Sequence, residues 1–395
     1  MNDGVNVFDY LPEDRFAGIL LGRAWLPAEL AGGIAGPSPV LVTGDGVFDL
    51  SGIAPTTSQL LNRGFKGLEG RDGLVSLGGY ESIMANTLAG RREDQPLFLS
   101  PFDLQSIKAC GVTFAVSMIE RVIEERAAGD ANRAAEVRDR VLGVIGGDID
   151  SLVPGSAEAV KLEKLMRDEG LWSQYMEVGI GPYAEVFTKS QPMSSVGTGA
   201  LAGLNPISSW NNPEPEIVLA VNANGEAVGA TLGNDVNLRD VEGRSALLLG
   251  KAKDNNASCA AGPFIRLFDS SFTIDDVRSA RVALTIDGPE DGFRLEDGSN
   301  MAKISRDVLD LVGQTYNSSH QYPDGFALFT GTLFAPTRDR DGAGQGFTHK
   351  EGDVVRISTE KLGMLQNTTT RSDRAPPWEF GIGALMENLS KRGLL

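Results

Sequence analysis

The sequence predicts an α+β fold in which strands predominate. Short apolar runs recur along most of the chain, and the 48 glycines among its 395 residues mark turns between them. One stretch departs from this pattern, because residues 115–172 carry apolar positions at helical spacing with charged residues between them. A chain of this length is expected to form about two domains, each with its own core.

We expect a small β-rich domain at residues 1–100 and a larger domain at residues 101–395. The polar, proline-containing run at 88–98 marks the boundary between them. In the first part, the apolar run 39–42 passes through Thr-Gly-Asp-Gly into a second apolar run, which is typical of a strand-turn-strand unit. The second part opens with the helical segment at about 115–172, and strands dominate after it. The candidate catalytic residues all lie in this second part.

Charge and cysteine content limit the classes of partner and the compartment. The chain has 53 acidic and 36 basic residues, for a net charge of −17, which argues against a nucleic acid or an anionic membrane surface as partner. Its two cysteines, Cys110 and Cys259, are too few for a disulfide framework. We see neither a signal peptide nor an apolar run near the ~20 residues of a membrane span. These observations predict a cytoplasmic protein.

A pair of glutamates begins one of the most apolar segments. Glu214 and Glu216 are two residues apart at the start of Ile-Val-Leu-Ala-Val, so the period of a strand places both on one face. Two carboxylates this close repel each other unless a cation lies between them. A hard divalent cation is one solution, and Asp235 could supply a third oxygen. Taken alone, however, Glu-x-Glu is more common on the solvated edge of a hairpin, and that alternative stays open here.

The order of several polar motifs along the chain is more informative than any one of them. They are Gly-Val-Thr-Phe before a helix, Phe-Thr-Lys189-Ser, Pro-Glu214-Pro-Glu216-Ile, Gly-Asn-Asp235-Val-Asn-Leu-Arg239-Asp240, Leu-Gly-Lys251, Phe-Thr-Gly331-Thr332 and Glu-Gly-Asp353-Val-Val. In this order the set resembles the fumarylacetoacetate hydrolase family, over about residues 100–375. Asn-Asp-Val-x-x-Arg-Asp followed by Gly-Lys is its most specific part.

The resemblance implies a mixed β-roll catalytic domain with a smaller N-terminal domain. It also implies Mg²⁺, with Mn²⁺ as an alternative, held by Glu214, Glu216 and Asp235. The substrate in such proteins is a 2-oxo acid that chelates the metal through its carboxylate and keto oxygen. A homo-oligomer, either a dimer or a tetramer, is expected on the same ground.

One departure from the family pattern bears on the reaction. Family hydrolases carry His-x-x-Glu where this chain has Ser117-Met-Ile-Glu120, and the missing histidine would have activated the hydrolytic water. The chain has only two histidines, His320 and His349, and both fall elsewhere in the pattern. The Ser-x-x-Glu variant resembles the family's sugar-acid dehydratases, which are hydro-lyases. They convert a 2-keto-3-deoxy-pentonate (2-dehydro-3-deoxy-D-pentonate) into 2,5-dioxopentanoate in non-phosphorylative pentose catabolism.

The same resemblance suggests roles for the catalytic residues. Glu120, near the start of its helix, is the candidate acid or base at C3 and C4. Ser117, one turn earlier, is a candidate to hydrogen-bond the leaving hydroxyl, although a serine at a helix start is often a cap. Lys251 is expected to be the cation nearest the metal, where it would stabilise the enolate.

Four further residues are candidates for holding the substrate. Thr332 and the backbone at Gly331 are expected to bind its carboxylate, and Lys189 its distal hydroxyls. Arg239 is a further candidate, with a structural ion pair to Asp240 as the alternative.

Two other functions remain open at this point. One is a metal-dependent hydrolase or decarboxylase that acts on a 2,4-dioxo acid such as an acylpyruvate. The other is a non-catalytic, metal-stabilised binding protein.

Overall fold

Strands form most of the regular structure, and the predicted α+β fold is confirmed. The computed structural model describes residues 6–64, 73–126, 137, 143, 152–342 and 345–395. Within these ranges the strands are β1 (Leu20–Leu26), β2 (Gly36–Thr43), β3 (Gly46–Asp49), β4 (Val75–Gly78), β5 (Leu97–Phe98), β6 (Ser106–Gly111), β7 (Glu185–Ser190), β8 (Leu201–Leu204), β9 (Asn211–Asn212), β10 (Pro215–Val221), β11 (Ala227–Asp235), β12 (Asn237–Leu238), β13 (Cys259–Leu267), β14 (Arg281–Gly288), β15 (Phe293–Asn300), β16 (Phe326–Phe329), β17 (Val354–Thr359) and β18 (Gly363–Arg371).

The α-helices within the same ranges are less numerous than the strands. They are α1 (Thr57–Arg63), α2 (Tyr80–Ala89), α3 (Ala115–Arg126), α4 (Ala157–Asp168), α5 (Gln174–Ile180), α6 (Arg239–Glu242), α7 (Leu249–Lys253), α8 (Ile274–Ser279), α9 (Val308–Thr315) and α10 (Ile382–Lys391). The expected helical segment therefore contains α3 and α4, and most of the chain between them lies outside the described residues. Among the described helices, none combines the length and the apolar character that crossing a bilayer requires.

Two sheets organise the chain. The larger has eleven strands in the order β4-β3-β2-β1-β13-β11-β10-β16-β6-β7, with β5 paired to β1. Its pairs are antiparallel except for β16 with β6. The smaller sheet has the order β15-β14-β17-β18-β8, and β9 and β12 pair separately. The two strands that carry the expected metal ligands, β10 and β11, are therefore neighbours in the interior of the large sheet.

Strand β10 is buried on both faces. Ile217, Leu219 and Val221 point into one apolar cluster, whereas Val218 and Ala220 point into another. This explains why the sequence of β10 is an almost unbroken apolar run rather than an alternating one. Burial on both sides also means that carboxylates at the start of this strand are removed from water.

The first strand of the chain joins the same sheet. In the pairing of β1 with β13, Leu20 lies opposite Arg266 and Leu21 opposite Ile265. Arg266 is buried, and its Nη2 lies 2.6 Å from Oδ2 of Asp14. Strands from both sides of the expected boundary near residue 100 thus share one sheet, and the position of a domain boundary stays a prediction.

Helix α3 packs on α5 through an apolar face at helical spacing. Met118, Ile119, Val122 and Ile123 of α3 are buried against a cluster that includes Met176 of α5. The helix starts four residues after the end of β6. This packing fixes the rotation of α3 and directs Arg121 to the end of the large sheet, where the polar residues gather.

Candidate metal centre and pocket

Three carboxylates meet where β10 begins and β11 ends. Glu214, Glu216 and Asp235 each offer an oxygen that lies within 4.8 Å of the other two, and none of the three residues is more than 1% exposed. The backbone fixes this meeting, because the N–H of Asp235 donates to the carbonyl of Glu214 over 3.0 Å. Such burial excludes the solvated hairpin edge. Three hard oxygen donors around one point are a donor set suited to Mg²⁺ or Mn²⁺.

Two buried lysines contact this cluster from within the protein. Lys253 donates from Nζ to Glu214 Oε2, and the same nitrogen lies 3.1 Å from Asp235 Oδ2. Lys189 Nζ lies 2.8 Å from Asp235 Oδ1 and also donates to the carbonyl of Val236 over 3.2 Å. Burial alone would raise the pKa of Glu214, but Lys253 and then Arg121 together lower it to about 2. Glu214 is therefore ionised at neutral pH.

Among the described residues, the hydrogen-bond partners of Glu216 are neutral groups rather than cations. The N–H of Gly331 donates to its Oε2 over 2.7 Å, and the Thr332 hydroxyl donates to its Oε1 over 3.3 Å. Burial, followed by the charges of Asp235 and Glu214, raises the pKa of Glu216 well above its ordinary value. A positive charge placed between the three carboxylates would relieve this repulsion.

The backbone at Gly331 requires glycine for two reasons. Its φ is +102°, and a Cβ atom added there would lie 1.9 Å from Oγ1 of Thr113. That hydroxyl donates to the carbonyl of Thr330 over 2.7 Å, which holds the turn after β16. The close approach lets the Gly331 N–H reach Glu216.

A cavity of about 50 Å³ lies beside the cluster. This volume exceeds the ~10–15 Å³ that one water molecule needs, so a cation and part of a ligand fit in it. Glu214 and Asp235 lie at one side, and the charged residues of the remaining wall are Arg121, Glu185, Arg239, Glu242 and Lys253. Thr332 also lines it.

Glu185 is a titratable group of this wall that is poised near neutral pH. It is the first residue of β7 and lies opposite Gly111 of β6. Burial, followed by the negative charge of Glu242, raises the pKa of its carboxyl to about 7. Both its protonated and its ionised forms are therefore populated near neutral pH, which is what proton transfer requires.

Two arginines complete the wall. Arg121 bridges two carboxylates, with Nη2 2.5 Å from Glu214 Oε1 and Nη1 2.9 Å from Glu242 Oε2. Arg239, which is 4% exposed, stacks with its guanidinium carbon 4.4 Å from the centroid of the Trp210 ring. The adjacent Asp240 accepts hydrogen bonds from Ser208 and Ser209. Arg239 is thus a pocket residue held in place by an aromatic ring.

The lysine expected closest to the metal cluster is misassigned by the sequence motif. Lys251 is exposed on α7 and does not line the described cavity, whereas Lys253, at the end of the same helix, contacts Glu214 and Asp235. Successive residues of a helix are rotated by about 100°, so two positions apart face nearly opposite directions. The Gly-Lys motif alone does not indicate which side of the helix faces the cluster. The lysine of the site is therefore Lys253 and not Lys251.

The other predicted residues divide into three groups. Gly331 and Thr332 reach the cluster, and Arg239 reaches the pocket, as described above. Lys189 lies behind Asp235 and is not among the residues that line the described cavity, so its position does not match the expected contact with the substrate. Ser117 and Glu120 lie in the first and second turns of α3, and their side chains are outside the described part of the structure.

The sequence reasoning missed Arg121, Glu185, Glu242 and Lys253. For Glu185 a signal was present, since counting back from Lys189 in steps of two reaches Phe187 and then Glu185 on the same face of one strand. For Arg121 and Glu242 there was none, because their contact joins two helices far apart in the chain.

Comparison with known proteins places this arrangement in a family. A scan against models of protein families finds no match. Among curated proteins, the chain is 30% identical over 284 residues to the "Probable 2-keto-3-deoxyxylonate dehydratase" of Haloferax volcanii, and the match covers 68% of this chain and 92% of that relative. The chain belongs to the same family, the fumarylacetoacetate hydrolase family.

A second curated protein and two solved structures are also similar to this chain. The chain is 31% identical over 183 residues to the 2-dehydro-3-deoxy-D-arabinonate dehydratase of Saccharolobus solfataricus. This match covers 46% of this chain and 57% of that protein. A structure of 2-keto-3-deoxy-D-arabinonate dehydratase complexed with magnesium and 2,5-dioxopentanoate has the same fold, with a TM-score of 0.60 and 20% identity over 89% of this chain and 99% of the other. The fumarylacetoacetate hydrolase of Exiguobacterium antarcticum matches the same shares at a TM-score of 0.53 and 16% identity.

Proposed function

We propose that this member of the fumarylacetoacetate hydrolase family is a metal-dependent dehydratase. It would convert a 2-keto-3-deoxy-pentonate into 2,5-dioxopentanoate and water. The observation that carries the proposal is the buried cluster of Glu214, Glu216 and Asp235 beside a pocket with several charged lining residues. The match to a dehydratase relative along 92% of that relative's length supports the choice of reaction.

The three carboxylates are the residues that would hold Mg²⁺ or Mn²⁺. Their oxygens converge within 4.8 Å, and oxygen donors are the ligands that these cations prefer. The chemistry that such a cation supplies is Lewis-acid polarisation of the 2-keto group, which makes a proton on C3 acidic. The backbone N–H of Gly331 and the hydroxyl of Thr332 would keep Glu216 oriented for this task.

The reaction requires proton transfers that Glu185 is suited to perform. A base removes a proton from C3, and an acid donates a proton to the hydroxyl that leaves C4, which gives water and an enone in which C5 is the hydroxymethyl group on C4. Two hydrogens then move from C5 and its oxygen to C3 and C4, and the aldehyde results. A carboxyl group whose pKa is about 7 can accept and return a proton at neutral pH.

Glu120 remains the candidate suggested by the family resemblance for the same proton transfer. Ser117 keeps its suggested role at the leaving hydroxyl. The two glutamates are distinguishable, because only the residue that transfers the proton sets the pH dependence of the chemical step.

Cations on the pocket wall would orient the anionic substrate. Arg239 is held against Trp210, so its guanidinium loses little freedom when it binds a carboxylate or hydroxyl. Thr332 also lines the pocket. Lys253, fixed between Glu214 and Asp235, would balance negative charge that develops on the substrate.

The positions of the two histidines argue against a hydrolytic mechanism. His349 is buried and its Nδ1 lies 2.9 Å from Asp353, while His320 is exposed and stacks on Tyr322. Neither histidine lines the pocket. A water-activating His-Glu pair of the kind found in family hydrolases is therefore not available from these residues.

The test is turnover of a 2-keto-3-deoxy-pentonate by the metal-stripped protein with and without added Mg²⁺, with the aldehyde proton of 2,5-dioxopentanoate followed by NMR. Turnover is expected only with the metal, and Glu216→Gln should abolish it. Glu185→Gln should lower kcat by about 10²–10⁴-fold and remove the limb of the pH profile near 7. Exposed Glu296 supplies the control, because Glu296→Gln leaves the pocket intact. Cleavage of an acylpyruvate, with no 2,5-dioxopentanoate formed from the pentonate, would refute the dehydratase assignment.

We also propose that the protein is a cytoplasmic homo-oligomer, either a dimer or a tetramer. The family assignment and the absence of a disulfide framework support this. Size-exclusion chromatography with light scattering tests the oligomeric state, and a monomeric mass would contradict the proposed oligomer.

A further inference from the structure

Arg121 connects the prospective metal ligand Glu214 with a second carboxylate that lines the pocket, that of Glu242. Its Nη2 lies 2.5 Å from Glu214 Oε1, and its Nη1 lies 2.9 Å from Glu242 Oε2. We propose that Arg121 exchanges with the divalent cation for Glu214. When the cation binds, the guanidinium leaves Glu214, stays paired with Glu242 and turns to the substrate. This inference rests on the proposed metal-dependent function.

Glu214 is expected to coordinate a divalent cation only if its neighbours rearrange. One of its oxygens is held by Arg121 and the other by Lys253. A divalent ion brought to this carboxylate would meet two positive side chains at hydrogen-bonding distance, and the repulsion between like charges at such distances is strong in a buried site. At least one of the two cations is therefore expected to withdraw.

Arg121 is the one that can withdraw. The side chain of Lys253 is 3% exposed, and its two carboxylate contacts, Glu214 and Asp235, are both proposed metal ligands. None of its present contacts therefore offers a carboxylate outside the metal cluster. The side chain of Arg121 is 12% exposed, extends from helix α3, and already holds a second carboxylate. Leaving Glu214 costs Arg121 one partner but does not leave its charge unpaired.

The exchange links the metal to substrate binding. A guanidinium released from Glu214 keeps donor groups on the pocket wall, where a substrate carboxylate or hydroxyl can accept them. Substrate binding to Arg121 would in turn keep the arginine away from Glu214. By thermodynamic reciprocity, each ligand then raises the affinity for the other. Arg121 would thus be a positioning residue for the metal and a binding residue for the substrate.

The test is calorimetric titration of Mg²⁺ into the metal-stripped protein without substrate, for the wild type and for Arg121→Gln. Removal of the competing guanidinium should tighten Mg²⁺ binding by on the order of tenfold, while KM for the 2-oxo acid rises by a similar factor. Lys251→Gln is the matched control, since it removes one positive charge from an exposed site. That control should change neither quantity by more than about twofold.

The outcomes separate the exchange from the metal centre itself. If the wild type binds no Mg²⁺, the proposed metal-dependent function fails. If the wild type binds Mg²⁺ but Arg121→Gln binds it equally or more weakly, the exchange is refuted and the metal centre stands. Should Arg121→Gln not fold, Arg121→Met decides the question, because methionine also removes the positive charge that competes for Glu214. It should also tighten Mg²⁺ binding, and unchanged or weaker binding would overturn the exchange.

Discussion

Replacement of Lys253 by methionine is expected to destabilise the metal-free protein strongly. Methionine has a similar length but no charge, so the change removes the ion pairs to Glu214 and Asp235 and leaves both carboxylates buried. The side chain is 3% exposed, so water cannot substitute for the lost partner. Breaking a buried ion pair by removing one member typically lowers the free energy of unfolding by about 3–5 kcal/mol.

Lys251 provides the comparison, because it lies on the same helix and carries the same charge. It is exposed, and Lys251→Met should change the free energy of unfolding by no more than ~0.5 kcal/mol. The two variants are compared by urea unfolding at pH 7 in the presence of a chelator. Added Mg²⁺ should then stabilise Lys253→Met more than the wild type, since the cation replaces the positive charge that the substitution removes from beside the carboxylates.

Two results would refute this reasoning. Equal losses of stability in the two variants would mean that burial of Lys253 between the carboxylates is not what holds the site together. A loss below ~1 kcal/mol in Lys253→Met would mean that Arg121 beside Glu214 and Lys189 beside Asp235 suffice to stabilise the two carboxylates without Lys253.

Three further predictions concern pH and backbone geometry. The pKa of Glu185 is raised to about 7, so the stability that its protonation contributes is fully present below its ordinary pKa of 4.5 and is lost as pH rises through about 7. The midpoint of urea unfolding should fall over this range. If the midpoint depends on pH in the same way in Glu185→Gln, the prediction is wrong. Burial lowers the pKa of His349, so its effect has the opposite sign: stability should fall as pH drops below about 6.5, and His349→Gln should flatten that slope. Gly331→Ala should lower the melting temperature and weaken Mg²⁺ binding, because its Cβ would collide with Thr113 and move the N–H away from Glu216; calorimetry that gave a wild-type affinity would refute this.

The strand-borne part of the site follows from local sequence because a strand has only two faces. Glu214 and Glu216 fall on one face by period, and a short hairpin returns the chain to Asp235. This convergence needed no knowledge of the rest of the fold. The burial of these residues was not readable from Glu-x-Glu alone, since it depends on apolar clusters contributed to both faces of β10 by distant segments.

The helix-borne part could not be predicted in the same way. In Gly-Lys251-Ala-Lys253 the sequence offers two lysines, and only the packing of α7 decides which one faces inward. Arg121 and Glu242 come from helices more than a hundred residues apart, so no local sequence pattern predicts their contact. Lys189 lies in the part of the chain where strands were expected, but its inward position behind Asp235 depends on the partner strands of β7.

The pairing of β1 with β13 has a consequence for solubility. β13 lies between β1 and β11, so a chain that lacked its first strands would present an unpaired edge of β13 to solvent. Free N–H and C=O groups along such an edge are a template for pairing with other chains. The loss of Asp14 would also leave the buried Arg266 guanidinium without its carboxylate partner. The N-terminal strands therefore act as an edge cover, and their removal should yield aggregates rather than a smaller enzyme.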